Sequence, residues 1–250
     1  MLRNITARDV LGALAAALAV MPLYWFFREI VPTADGDRIW RMVEGGAWFY
    51  RRSLLAQALA QGIYRLVAPF GRSGIDALHV YSVASGGLFV FSSVLLARCL
   101  PHSCRWSLFL LLTAGFGRVF CGHIEYYALV VAATQLYLLT GCLALGGRTS
   151  LFWPGMAYSL LCWIHLMGFF LFPSVLLLWV ISGGQAKSGR DLALGLIPTG
   201  LIFVFLRGAH LFGANLHGQL YGQHLLRLFD VGDTGMWYPL FSVRHFWEWT

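Results

Sequence analysis

Val10-Leu11-Gly12-Ala13-Leu14-Ala15-Ala16-Ala17-Leu18-Ala19-Val20-Met21-Pro22-Leu23-Tyr24-Trp25-Phe26-Phe27 is an unbroken apolar run. It is close to the roughly 20 residues that an α-helix needs to cross the hydrocarbon core of a bilayer. Arg3 and Arg8 precede it. Ala17-Leu18-Ala19 has the small residues of a signal-peptide cleavage site, but the run continues through four aromatics and further apolar runs follow. A retained first membrane helix is therefore expected.

The rest of the chain repeats the pattern. Further spans are expected at about 76–97, 106–120, 124–145 and 192–206, separated by short basic breaks. The run from Leu151 to Ile181 is too long for one ordinary span and is expected to split near His165 to Gly168 into two short helices. The reading is an all-α, polytopic transmembrane helix bundle of about seven spans, forming one domain over residues 1–250. Composition agrees. Of the 250 residues 58% are apolar and 12% charged, against about 25% charged in soluble domains. The net charge of +7 rests almost wholly on arginine. These cations lie between apolar runs, so membrane lipids or phosphate are expected as partners rather than nucleic acid.

Two polar segments interrupt the greasy pattern, a first outer loop at 28–75 and a second at 207–250. In the first, Ser53 to Val67 has helical spacing with Leu54, Leu55, Ala58, Leu59, Gly62, Ile63 and Leu66 on one broad face. It is expected to lie in the interface with its apolar side down. If the spans alternate, Arg3 and Arg8, Arg98 and Arg105, Arg148, and Lys187 and Arg190 share one side, which the positive-inside rule makes cytoplasmic. The N-terminus is then cytoplasmic. The basic 28–75 segment falls outside, against that rule at face value, although long loops cross regardless of charge.

This topology collects polar groups on the outer face. Thr33-Ala34-Asp35-Gly36-Asp37-Arg38 places two carboxylates around a glycine that lets the backbone bend. A partly buried aspartate there accepts a proton from a hydroxyl; the plain alternative is a turn in which Asp starts the next helix. Arg118, His123 and Glu125 lie at or near membrane depth, where ionisable residues are costly and mark function. Pairing of Arg118 with Glu125 to close a hairpin is the structural alternative. His165 stands in an apolar run, as a core residue or a site residue. Arg51-Arg52 ahead of the interfacial helix suits a phosphate, since a guanidinium holds two oxygens at once; general attraction to anionic headgroups is the alternative.

The five cysteines, an odd number in or beside apolar runs, do not form a disulfide framework. Cys99, His102 and Cys104 lack a fourth ligand, so no metal or other cofactor is expected, a divalent ion being unsupported. Motifs for nucleotide hydrolysis, zinc proteolysis and serine hydrolysis are lacking.

A first span followed by an outer loop with Asp35-Gly36-Asp37 and amphipathic helices resembles the GT-C superfamily of membrane glycosyltransferases, which includes protein O-mannosyltransferases and aminoarabinose transferases. Gly122-His123-Ile124-Glu125-Tyr126-Tyr127-Ala128-Leu129 is similar to a segment of bacterial members. The resemblance covers most of the chain as topology and two short stretches as sequence. It implies transfer of a sugar from a polyprenyl-phosphate donor to a lipid, glycan or protein acceptor on the extracytoplasmic face of a bacterial inner membrane. Asp35 or Asp37 would be the base, with Arg51, Arg52, Arg118, His123, Glu125 and His165 as substrate-binding residues. Family members are usually longer than this chain, so a partner subunit is one expectation. A transporter or flippase, and a non-catalytic membrane subunit, are the competing readings.

Overall fold

The computed structural model describes residues 5–29, 36–50, 53–100, 117–122, 126–184 and 186–211, with the side chains of 117, 118, 186 and 206–211 left aside. The chain divides into two compact units, Met1–Gly200 and Leu201–Thr250. Of the second, only the end of the last helix is described.

The elements of the first unit are helical throughout its described residues. They are α1 (Ala7–Phe26), α2 (Gly36–Glu44), α3 (Leu54–Val67), a 3₁₀ turn (Ala68–Phe70), α4 (Gly74–Cys99), a single turn α5 (Gly117–Phe120), α6 (Tyr127–Leu145), α7 (Phe152–Ile164), a 3₁₀ segment (Leu166–Leu171), α8 (Phe172–Ile181) and α9 (Ala186–Leu211), which continues into the second unit. Four of these, α1, α4, α6 and α9, contain stretches long and apolar enough to cross a membrane. The protein is an integral membrane protein, an all-α bundle with several spans. The expected third span, 106–120, lies mostly outside the described residues. The run from Leu151 to Ile181 does split, with His165 as the extended residue between α7 and the 3₁₀ segment.

The bundle is built for lipid. Helix α1 turns Leu11, Leu14, Leu18, Leu23 and Phe26 outward and buries Ala13 and Ala17. Between helices in a bilayer, small residues allow close approach and hydroxyls supply hydrogen bonds. Gly86 and Gly87 of α4 receive Tyr24 and Met21 of α1. Gly155 of α7 and Gly195 of α9 bring the two backbones into contact, and a Cβ on Gly195 would meet the Phe152 carbonyl oxygen at 2.4 Å. Beside them, the Ser159 hydroxyl donates to the Gly195 carbonyl at 2.8 Å and lies 2.7 Å from Thr199 Oγ1.

These contacts fix directions. Asp9 of α1 lies 3.8 Å from Arg98 at the far end of α4, while Trp25 meets His79 near its start, so α1 and α4 are antiparallel. Tyr81 and Tyr126 meet at one end of the α4–α6 pair, and Cys99 and Leu139 share a cluster towards the other, so these two run parallel. Val119 and Phe120 are already back beside Ser82 and Phe89 of α4. Helix α7 returns against α6, since Tyr127 meets the ring of His165 and Tyr137 that of Tyr158. Helix α8 then reverses, with Ser174 2.9 Å from the Tyr137 hydroxyl. The end of α1, the starts of α4 and α6, and the end of α7 therefore lie together. Helices α2 and α3 dock there, because Ile39, Val43, Ala56, Ala60, Leu78, Tyr81, Tyr126, Leu161 and Ile164 belong to one buried cluster.

Helix α3 forms over the expected residues but packs differently from its apolar pattern. Gln57 and Gln61 are buried with Leu54, Ala56 and Ala60, whereas Leu59 and Leu66 are exposed. Next to lipid, apolar side chains need no protein cover, and the Gln57 amide finds its partners inside, while the Gln61 side-chain oxygen is left without one.

Candidate functional site

The gathered end of the bundle carries the candidate site. Helix α2 is strongly amphipathic because Ile39 and Val43 point into the cluster and Asp37, Arg38 and Arg41 point away. Asp37 sits in the first turn, where a carboxylate favours the helix start. Its Oδ2 accepts from the Arg41 guanidinium at 2.7 Å, and the side chain is 48% exposed. Asp37, Arg38, Arg41 and Met42 line an open depression of about 410 Å³. The aspartate thus has the surroundings of a helix start at the surface, not of a carboxylate in an apolar cleft.

Arg38 lies over the ring of Tyr50, 5.6 Å from its centroid. Tyr50 stands 6.0 Å from Tyr126, ring to ring. Tyr126 donates its hydroxyl to Gln57 Oε1, and the Gln57 amide donates to the Ala47 carbonyl. Burial, and then the neighbouring Tyr50, push the Tyr126 hydroxyl well above its ordinary pKa, so it stays a proton donor. This relay runs from the residue after Asp37 to Tyr126 of the second stretch.

The two stretches also meet at their other ends. Arg28 caps the end of α1, donating to the Trp25 carbonyl at 2.8 Å with its guanidinium 4.6 Å from the centre of the Trp25 ring. The next amide, that of Glu29, donates to the Cys121 carbonyl at 2.9 Å. Gly122 takes φ +65°, and a Cβ there would meet Arg28 Cβ at 2.7 Å and His79 Cδ2 at 2.9 Å. Only glycine fits this left-handed close approach. Burial, and then the Glu29 carboxylate, raise the Cys121 thiol, which disfavours a thiolate nucleophile.

His165 is 7% exposed, and its Nδ1 accepts from the Met167 amide at 3.1 Å. It caps the 3₁₀ segment and stacks on Tyr127 at 5.8 Å. This is a structural task, performed beside the second stretch. Asp35, Arg51, Arg52, His123 and Glu125 lie outside the described residues, as does the side chain of Arg118, whose backbone belongs to α5. The structure therefore brings together Asp37, the flanks of both stretches, and His165. The pairing of Arg118 with Glu125 and the contacts of Arg51-Arg52 fall on residues outside the description.

Sequence reasoning missed His79. It is 4% exposed, one and a half turns into α4, and neither ring nitrogen has a hydrogen-bond partner. The rule that singled out His123 and Glu125 applies to it equally: an ionisable residue inside a span is a candidate by default. Among the described residues no group of three His, Cys, Asp or Glu is arranged to hold a metal ion; Cys99 is free, and His102 and Cys104 lie outside the description. Comparison of the chain with protein-family models, with curated proteins and with solved structures finds no match.

Proposed function

We propose that this chain is a membrane glycosyltransferase of the GT-C kind that moves a sugar from a polyprenyl-phosphate donor to an acceptor at the extracytoplasmic face of a bacterial inner membrane. One observation carries the reading. The stretch that contains Asp35 and Asp37 and the stretch Gly122–Tyr126 are tied at both ends, through Glu29 to Cys121 and through Arg38, Tyr50 and Tyr126. The described flanks of two segments about 90 residues apart in sequence thus lie together, which supports a shared site.

In this reading the chain crosses the membrane seven times with its N-terminus in the cytoplasm, and helix directions around α4, α6, α7 and α8 support the alternation. A carboxylate takes the acceptor proton while the sugar leaves its phosphate, and arginines hold the charge that develops. The surface pairing of Asp37 with Arg41 favours Asp35 as the base. Arg51, Arg52 and Arg118 are proposed for the phosphate, and His123 and Glu125 for the sugar or acceptor.

The test is transfer from a panel of radiolabelled polyprenyl-phosphate sugars by the purified protein in lipid. Loss of the general base costs on the order of 10²–10⁴ in rate, so Asp35→Asn should abolish measurable transfer while insertion is kept. Full activity in the Asp35→Asn/Asp37→Asn double variant would remove the reading. Movement of the lipid-linked sugar across the bilayer without transfer would replace it with a flippase.

A further inference from the structure

His79 is one of several described residues whose buried side-chain polar atoms lack a close hydrogen-bond partner, and the one with two such atoms. A buried polar group without a partner costs free energy, and native folds rarely keep one without a reason. Its surroundings are specific. The ring meets Trp25 edge-on at 6.2 Å, and its Cδ2 lies against Gly122. Arg28, Glu29 and Asp76 are the charged groups that act on it, and one ring nitrogen is turned to the Glu29 backbone in a loose contact, which leaves the other without a partner. Asp76 is already committed to the α4 cap, accepting from the Ser73 amide at 3.0 Å and from its hydroxyl at 3.1 Å. Packing alone would be served by a leucine or phenylalanine here. The imidazole instead stands where Arg28–Glu29 and Cys121–Gly122 converge.

We propose that His79 binds the phosphate of the substrate, giving a ring N–H to a phosphate oxygen while the Arg28 guanidinium supplies positive charge on the same side. The proposal rests on the transferase reading and adds to it a residue on a membrane-spanning helix. A phosphate is preferred to a neutral hydroxyl because hydrogen bonds to an ionised acceptor are about twice as strong as neutral ones. The depth is suitable: His79 is five residues into α4, about 7.5 Å along a helix rising about 1.5 Å per residue. A phosphate anchored to an isoprenoid can be drawn to that level by its tail. Trp25 offers an apolar face beside the ring, and Gly122 offers backbone with no side chain.

The experiment measures binding of a tritiated polyprenyl monophosphate to the full chain in phosphatidylcholine nanodiscs. Loss of one charge-assisted bond corresponds to roughly tenfold in Kd or more, so His79→Leu should bind at least about tenfold more weakly. Its Tm should be unchanged or higher, because an unsatisfied buried group has been removed. His79→Gln, which keeps an N–H donor, should bind within about threefold of the parent chain if one bond is at stake. Parent-like affinity in His79→Leu overturns the proposal. So does a loss in both variants accompanied by a fall in Tm, which marks a structural role. Competition with inorganic phosphate identifies the source: displacement that depends on His79 points to the head group alone, and its absence to the lipid-tethered form, both supporting a phosphate site. The two readings fail separately. His79-dependent binding without sugar transfer in the parent chain removes the transferase and leaves this site. Transfer with an unchanged donor KM in His79→Leu removes this site and leaves the transferase.

Discussion

The α1–α4 pair has two ends, and they treat polar groups in opposite ways. At one end Thr6 and Asp9 form a capping box, the Thr6 hydroxyl donating to Asp9 Oδ2 at 2.7 Å, and Arg98 stands 3.8 Å from the same carboxylate. The buried acid is supplied with partners. At the other end a capping box of the same design, Ser73 with Asp76, starts α4, yet His79 one turn later is left with none. The same two helices satisfy the buried Asp9, although Ser93 of α4 also lacks a partner for its hydroxyl. The proposed phosphate site uses the polarity left open at His79.

The comparison is broken most severely at Gly122. Gly122→Val puts a β-branched residue at φ +65° and drives its Cβ into Arg28 and His79. Left-handed strain at a non-glycine costs of order 1–3 kcal/mol, before the clash is added. Transfer should fall by more than an order of magnitude while the protein still inserts, as read by activity alongside a detergent Tm. Asp9→Ala tests the closed end. Loss of a capping carboxylate costs about 0.5–2 kcal/mol, so the Tm should fall while transfer by the remaining folded protein is unchanged. The matched substitutions Thr6→Ala and Ser73→Ala sharpen the contrast. Each should cost about 1 kcal/mol, and only Ser73→Ala, which loosens the turn above His79, should also slow transfer. Arg41→Ala should do least. Its pair with Asp37 is exposed, and such pairs are worth roughly 0.2–1 kcal/mol, so thermal melts should barely move.

Much of the frame was legible from residue order. The apolar length of α1, α4, α6 and α9 follows from bilayer thickness alone, and the break at His165 follows from a run too long for one crossing. The burial of α3 was not legible, because a helix beside lipid can turn Leu59 and Leu66 outward and Gln57 and Gln61 inward. A pattern of hydrophobicity does not say which solvent each face meets. Asp37 could be read from its neighbours as a helix start or as a base, and its pairing with Arg41 realises the first of these locally. His79 was hidden for a different reason. What distinguishes it is the absence of a hydrogen-bond partner, a relation among Trp25, Arg28 and Gly122 that no window of sequence contains.

Gln57 bears on the order in which this region is made. Its amide ties the turn after α2 to Tyr126, a residue 69 positions further on. A ribosome adds roughly 5–20 residues per second, so Ala47 and Gln57 emerge several seconds before the phenol that fixes them. Helices α2 and α3 can complete this tie only once Tyr126, at the start of α6, has been made. Closure of this tie is thus set by the arrival of one tyrosine, midway along the 250-residue chain.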